Sequence, residues 1–339
     1  MKISVFGSGA WGPAMALLLR DNGHDTVLWS KFSEEAEILR LTRKNPLLAG
    51  IDIPDDVYIT TDMGEAARDA GAVIIAAPSY AVRETVEALR GKVSGRSVVI
   101  CISKGIEKDT ASLFTGIIRG ALGEKTQIAA VSGPTHAEEV ARRIPTACVS
   151  ASRDIEVAVR VQELLMNEYL RVYTSTDVVG VELGAALKNV IALCAGICDG
   201  LGFGDNTLAM LMTRGLAEMA ELCVAMGGRK ETLAGLTGLG DLIVTCMSRH
   251  SRNRRAGVLI GKGFSVADAM SGAGAVVEGY YAAKSANELS LKMGIEMPIC
   301  VEAYKVLYEE KDPLAAINGL MSRSGKSELG AGEETWVTR

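Results

Sequence analysis

Residues 2–12, KISVFGSGAWG, decide the fold. An apolar run of strand length enters Gly7-Ser8-Gly9-Ala10-Trp11-Gly12 directly, and a run of helix formers, PAMALLLRDNG at 13–23, leaves it. A strand that turns on such glycines into a helix opens a dinucleotide-binding sheet. Gly7 permits the tight turn, Gly9 the approach of backbone to a pyrophosphate, and Gly12 close helix–strand packing, with the phosphates at the helix N-terminus. Pro13 falls in the first helical turn, where its missing N–H is tolerated.

The rhythm set by that unit continues downstream. TVLWS at 26–30, AVIIAAP at 72–78, SVVICIS at 97–103, QIAAVSG at 127–133, TACVSAS at 146–152 and LRVYTST at 170–176 are near-continuous apolar runs. Runs of this kind belong to strands covered by helices on both faces. Helical segments at Trp11–Asp21, Glu34–Arg43, Ala81–Arg90 and Ile155–Met166 lie between them. The class expected is α/β, with an N-terminal Rossmann-like, doubly wound, mostly parallel sheet over residues 1–177. Beyond Asp177 the strand rhythm stops, and long helical segments predict a C-terminal all-helical domain over 178–325, followed by a polar tail at 326–339.

Composition narrows the function. The 339 residues are 48% apolar and 23% charged, and 36 Lys+Arg against 41 Asp+Glu leave a net charge of −5, which argues against a nucleic-acid partner held by a basic surface. Three histidines, His24, His136 and His250, stand far apart in sequence, so no metal site is expected. The seven cysteines are odd in number and lack CxxC spacing, which fits buried thiols of a reducing, cytoplasmic compartment. No signal-peptide pattern and no run of about 18 uninterrupted apolar residues occurs, so no membrane span is expected. A mean hydropathy of +0.20 fits a large core or the interface of a homodimer.

Several cations stand where an anionic ligand needs them. Lys31 follows the second strand, at the place where NAD enzymes carry an acid for the ribose, and its charge suits the 2′-phosphate of NADP(H) or dual use with NAD(H). A solvated strand-end lysine is the alternative. Lys104 ends the strand SVVICIS, on the edge where open α/β sheets bind ligands. Lys188 is the only cation of ELGAALKNVIALCAGICDGL, on a face of small residues, Gly184, Ala192 and Ala195. Desolvation there would lower its pKa toward the range of a general acid/base, and a buried structural ion pair is the competing reading. Ser248–Arg255, SRHSRNRR, sets four arginines beside Ser251, a candidate helix cap, which together suit a phosphate. Ser132–Ala137, SGPTHA, adds hydroxyl and amide donors after a strand, and Gly238–Asp241 places a carboxylate in what reads as a flexible loop.

GSGAWG, SKGIE, SGPTHAEEVARRIPTA, ELGAALKNVIALCAGICDGLGFGDNT, GLTGLGDLIVTCMSRHSRNRR and MPICVEAYKVLYEEKDP, in this order, resemble bacterial-type NAD(P)-dependent glycerol-3-phosphate dehydrogenase from residue 2 to about 326. The resemblance implies a small-molecule enzyme that interconverts sn-glycerol 3-phosphate and dihydroxyacetone phosphate. It implies Lys188 as proton acceptor or donor, and Lys104, Gly133, Thr135, Asp241, Ser251, Arg252 and Asn253 around the substrate. The dinucleotide would be lined by Gly7, Gly9, Ala10, Trp11, Gly12, Lys31, Lys104, Ala137, Arg252, Val276 and Glu278. This chain departs from the common pattern at Ala10, where a hydroxyl residue is usual, at Pro13, and at Thr135-His136, where Ser-Phe is frequent. A two-domain β-hydroxyacid-type dehydrogenase and a non-catalytic NADP(H) sensor are the rival readings.

Overall fold

The computed structural model describes residues 1–274, 276–325 and 327–328, so all but two residues of the polar tail lie outside the described residues. The N-terminal half contains strands β1 (Lys2–Phe6), β2 (Asp25–Trp29), β3 (Tyr58–Thr60), β4 (Ala72–Ile75), β5 (Val98–Cys101), β6 (Gln127–Ser132), β7 (Thr146–Ala151) and β8 (Leu170–Ser175). Between them run helices α1 (Trp11–Asp21), α2 (Ser33–Thr42), α3 (Met63–Ala67), α4 (Val82–Ala88), α5 (Phe114–Leu122), α6 (Ala137–Val140) and α7 (Ile155–Leu165). The strands form one sheet in the order β3-β2-β1-β4-β5-β6-β7-β8, parallel throughout except where β7 pairs antiparallel with β6.

The order reverses between β1 and β4, which pair in register from Ile3 opposite Ala72 to Phe6 opposite Ile75. That switch point opens a crevice at the C-terminal ends of the strands, the ligand edge of such sheets. Both faces are covered. Ile3, Val5, Ile74 and Ile100 pack with Met15, Leu18 and Leu19 of α1 on one side, while Phe6, Val73, Ile75 and Val99 meet Val86, Phe114 and Ile118 on the other. This two-sided burial is why the central strands read as near-continuous apolar runs; β8, contrary to expectation, is covered on one face only, because it is the edge strand and leaves Arg171 and Tyr173 exposed.

The second half is helical: α8 (Val178–Gly200), α9 (Asp205–Ala225), α10 (Lys230–Leu233), α11 (Asp241–Met247), α12 (Arg252–Gly261), α13 (Val266–Gly272), α14 (Glu278–Met293), α15 (Pro298–Tyr308) and α16 (Pro313–Met321). α8 is long and apolar enough to cross a membrane, but 89% of its apolar window is buried, and it is the axis around which the other helices pack. Asp177 caps it, accepting a hydrogen bond from Gly180 N at 2.9 Å.

α8 and α12 meet backbone to backbone. A Cβ on Gly196 would lie 2.1 Å from Arg254 O, one on Gly200 2.4 Å from Val258 O, one on Gly257 2.1 Å from Leu193 O, and one on Gly261 2.3 Å from Ile197 O. Two glycine pairs at i, i+4 spacing, one on each helix, therefore form the seam. The sheet and the helices are tied at Glu182 of α8, whose carboxylate accepts from both Thr115 N and Thr115 Oγ1 at the start of α5.

Candidate active site

Three side chains from three elements converge at the mouth of the crevice. Lys188, in the middle of α8, is buried among apolar neighbours, and its Nζ donates to Asp241 Oδ1 at 2.5 Å. The other oxygen of Asp241, Oδ2, accepts from Lys104 Nζ at 2.9 Å. Lys104 reaches across from the C-terminal end of β5. One buried carboxylate thus bridges two ammonium groups, one from each half of the chain.

Asp241 is held rigidly, contrary to the flexible loop expected around it. Leu236–Gly240 is a π-helical turn that runs straight into α11, with Asp241 as the first residue of that helix. A Cβ on Gly238 would lie 2.0 Å from Leu233 O, and one on Gly184 would lie 2.7 Å from Thr237 O, so these glycines permit close packing of the turn. One helical turn along, Thr245 Oγ1 accepts from Lys188 Nζ at 2.7 Å and donates to Asp241 O at 2.5 Å. Thr245 escaped the sequence reading. Its position four residues after Asp241 is a signal only once Asp241 is known to open a helix.

The charges are unevenly balanced. Burial drives the Lys188 ammonium down to about 8, with Asp241 opposing that fall and Lys104 adding to it. Burial works to raise the Asp241 carboxyl, but Lys104 and Lys188 together outweigh it and hold the group below the usual carboxylate range. Of the Lys188–Asp241 pair, Lys188 is therefore the group whose titration lies closer to neutrality.

Around this cluster lie the donors of the SGPTHA and SRHSRNRR segments. Lys104 Nζ also donates to Gly133 O at 2.8 Å and to Thr135 Oγ1 at 3.2 Å. Gly133 has φ +150°, and a Cβ there would sit 2.8 Å from Cys148 Cα, so only glycine fits. Ser251 caps α12 through Arg254 N. Asn253 is a clamp between helices, donating to Asn189 Oδ1 at 2.9 Å and accepting from Gly279 N at 2.8 Å. Arg254 pairs with Asp199 and Arg255 donates to Ala273 O, whereas the Arg252 side chain makes no ion pair or hydrogen bond among the described residues. His136 and His250, far apart in sequence, face each other from the two halves with ring centroids 6.3 Å apart. Burial, then Lys188 and Lys104, lower the His136 pKa, so this ring is neutral near pH 7.

The crevice beside the cluster suits a dinucleotide. A Cβ on Gly7, where φ is +132°, would lie 2.6 Å from Ala76 O, and one on Gly12 would lie 1.8 Å from Gly7 O, whereas a Cβ on Gly9 meets nothing within 4 Å. Gly7 and Gly12 are thus required by packing, and Gly9 leaves open space over the turn. Ala10 supplies no side-chain cap to α1, so the first N–H groups of that helix are available to an anion. Trp11 and Ala10 pack against the buried cluster of Ala14, Leu48 and Ala137, and Trp11 Nε1 is buried without a partner among the described residues. Glu278 takes Ser79 N on Oε1 at 3.1 Å across the crevice, leaving Oε2 buried and without a partner among the described residues, and Val276 lies two residues ahead of it. Lys31 is not a free cation, since its Nζ contacts both oxygens of Glu84 at 2.7 and 2.8 Å. Among the described residues no group of three or more His, Cys, Asp and Glu is arranged to hold a metal.

Residues 2–158 match the family model for the NAD-dependent glycerol-3-phosphate dehydrogenase N-terminus, and residues 177–318 match that for its C-terminus. The chain belongs to this family. A protein of Fusobacterium nucleatum named glycerol-3-phosphate dehydrogenase [NAD(P)+] is 47% identical over 97% of this chain and 99% of its own length. One of the same name from a Thermoanaerobacter species is 50% identical over 97% of this chain and 99% of its own. The crystal structure of glycerol-3-phosphate dehydrogenase from Coxiella burnetii superposes with a TM-score of 0.91 at 34% identity, covering 95% of this chain and 99% of that one. D-Mandelate dehydrogenase, at 14% identity and a TM-score of 0.64, shares only the fold.

Proposed function

We propose that this protein catalyses the reversible reduction of dihydroxyacetone phosphate to sn-glycerol 3-phosphate with NAD(P)H. The observation that carries this reading is the buried Lys188–Asp241–Lys104 cluster at the crevice mouth. When bound, the dinucleotide supplies or accepts the hydride. Lys188 Nζ delivers a proton to the carbonyl oxygen as negative charge develops there, and in the opposite direction takes the proton from the alcohol. Lys104 faces the same oxygen as a fixed cation, a contribution that grows in the transition state. Asp241 keeps both ammonium groups aimed and Thr245 holds the Lys188 amine in register. Arg252, which makes no ion pair or hydrogen bond among the described residues, takes the phosphate together with the N-terminus of α12 beyond Ser251. Gly133 and Thr135 line the opposite wall, beside Ala137.

The chain divides its work between a dinucleotide domain at 1–177 and a substrate domain at 178–325. Seven free cysteines, six of them buried, support a cytoplasmic enzyme whose product feeds glycerophospholipid synthesis. Exposed apolar side chains on α9 and α11, Met210, Ile243 and Met247, support a homodimer, which sedimentation would reveal as a species of twice the chain mass. The deciding experiment is loss of NAD(P)H absorbance on addition of dihydroxyacetone phosphate. Tight NAD(P)H binding without any such loss would replace the enzyme by the nucleotide sensor.

A further inference from the structure

Ser30-Lys31 follow the last residue of β2, Trp29, and the structure folds a carboxylate back onto that point that the sequence does not reveal. Glu35, in the first turn of α2, brings Oε2 to 2.6 Å from Ser8 Oγ and 2.8 Å from Ser30 Oγ. Ser8 lies inside the glycine turn and Ser30 at the strand end, and both hydroxyls are buried. Asn45 secures the same turn from behind, donating to Ser8 O at 2.8 Å. Glu35 is thus fixed between the turn and β2, where a Rossmann-like sheet receives the adenosine ribose. Its other oxygen, Oε1, has no hydrogen bond among the described residues, on a half-buried side chain that faces no competing cation within hydrogen-bond reach.

Lys31, the neighbouring cation, is drawn away by Glu84, the third residue of α4. Lys31, Glu35 and Glu84 together carry a formal charge of −1, which disfavours a 2′-phosphate and favours a neutral diol. We propose that Glu35 and Glu84 are the residues that set the cofactor preference. Glu35 accepts from the ribose hydroxyls of NAD(H), and Glu84 competes with the 2′-phosphate of NADP(H) for Lys31. The dual use of cofactors then results from an acid that serves one and an ion pair that must open for the other. The proposal rests on the dinucleotide reading of the crevice given above.

The test is the dissociation constants of NADH and NADPH by titration calorimetry for the wild type, Glu35→Gln, Glu84→Gln and the double variant, with melting curves to show that each is folded. Glu84→Gln should tighten NADPH about threefold, the scale of an exposed ion pair, and leave NADH unchanged. Glu35→Gln should weaken NADH about tenfold, the scale of a hydrogen bond to a charged group, without weakening NADPH. Glu35→Asp, which shortens the reach but keeps the charge, should weaken NADH while leaving NADPH disfavoured. NADPH-to-NADH ratios within twofold of wild type in both Gln variants would overturn the proposal. Turnover of dihydroxyacetone phosphate is scored separately. If the wild type binds both dinucleotides but turns over neither with that substrate, the enzymatic reading fails while the assignment of Glu35 and Glu84 is still decided by the binding ratios.

Discussion

Lys188 and Lys104 approach the same carboxylate from opposite halves of the chain, one oxygen of Asp241 each, at 2.5 and 2.9 Å. Two like charges tolerate this closeness because the anion lies between them.

Removing the proton carrier should spare binding and destroy chemistry. Lys188→Ala is expected to keep the NAD(P)H dissociation constant within a small factor of wild type and to lower kcat by about 10²–10⁴, the usual contribution of general acid–base catalysis. A variant retaining a tenth or more of wild-type turnover would rule out the role.

The pH profiles of the two directions should mirror each other. Oxidation of sn-glycerol 3-phosphate needs neutral Lys188, so its kcat rises with pH through an inflection near the group's depressed value of about 8. Reduction of dihydroxyacetone phosphate needs the ammonium and falls through the same point. Asp241 raises the Lys188 pKa, so Asp241→Asn should move both inflections to lower pH. An inflection that stays in place would show that another group titrates.

Arg252 should matter only to substrates that carry a phosphate. Arg252→Ala is expected to lower kcat/KM for dihydroxyacetone phosphate by about 100-fold, as loss of charge-assisted hydrogen bonds implies, and Arg252→Lys should restore only part of it. Unphosphorylated dihydroxyacetone, a poor substrate, should be turned over equally by variant and wild type. Equal losses for both substrates would assign Arg252 to the cofactor instead.

Closing the seam between α8 and α12 should be costly. Gly257→Ala would drive a methyl group to 2.1 Å from Leu193 O, where no flexible side chain can yield, and should lower unfolding stability by about 3 kcal/mol or more in guanidinium titrations. Gly263→Ala is the control for a glycine substitution elsewhere, since its Cβ meets nothing within 4 Å and only its φ of +91° is strained.

Much of this molecule was legible because its signals are local. Near-continuous apolar runs mark seven of the eight strands, and the glycine turn marks the crevice. β3 was missed because three residues, Tyr58–Thr60, are too few to show a period. Nothing in TACVSAS announces that β7 runs against β6, since direction is set by the connection and not by the strand. Lys188, Lys104 and Asp241 could each be singled out as a charge in unusual surroundings. The resemblance groups them around one substrate, but the bridge of one carboxylate between two ammonium groups could not be read, because contacts between residues 53 and 137 positions apart are a product of tertiary packing. The Lys31–Glu84 pair was invisible for the same reason, and a strand-end lysine looked free. Glu35 was passed over because only the fold of α2 turns its carboxylate, and not that of Glu34, onto Ser8.

The glycine seam has a consequence for substrate length. Helices in backbone contact have no rotamers between them to absorb a displacement, so α8 and α12 breathe as one piece, carrying Lys188 and Arg252 together. Any widening of the crevice must then occur on the wall that bears Lys104, Gly133 and Thr135. On the roles proposed for Lys188 and Arg252, the span between proton donor and phosphate grip is then fixed by backbone, and a phosphorylated ketone one carbon longer is expected to be a poorer substrate.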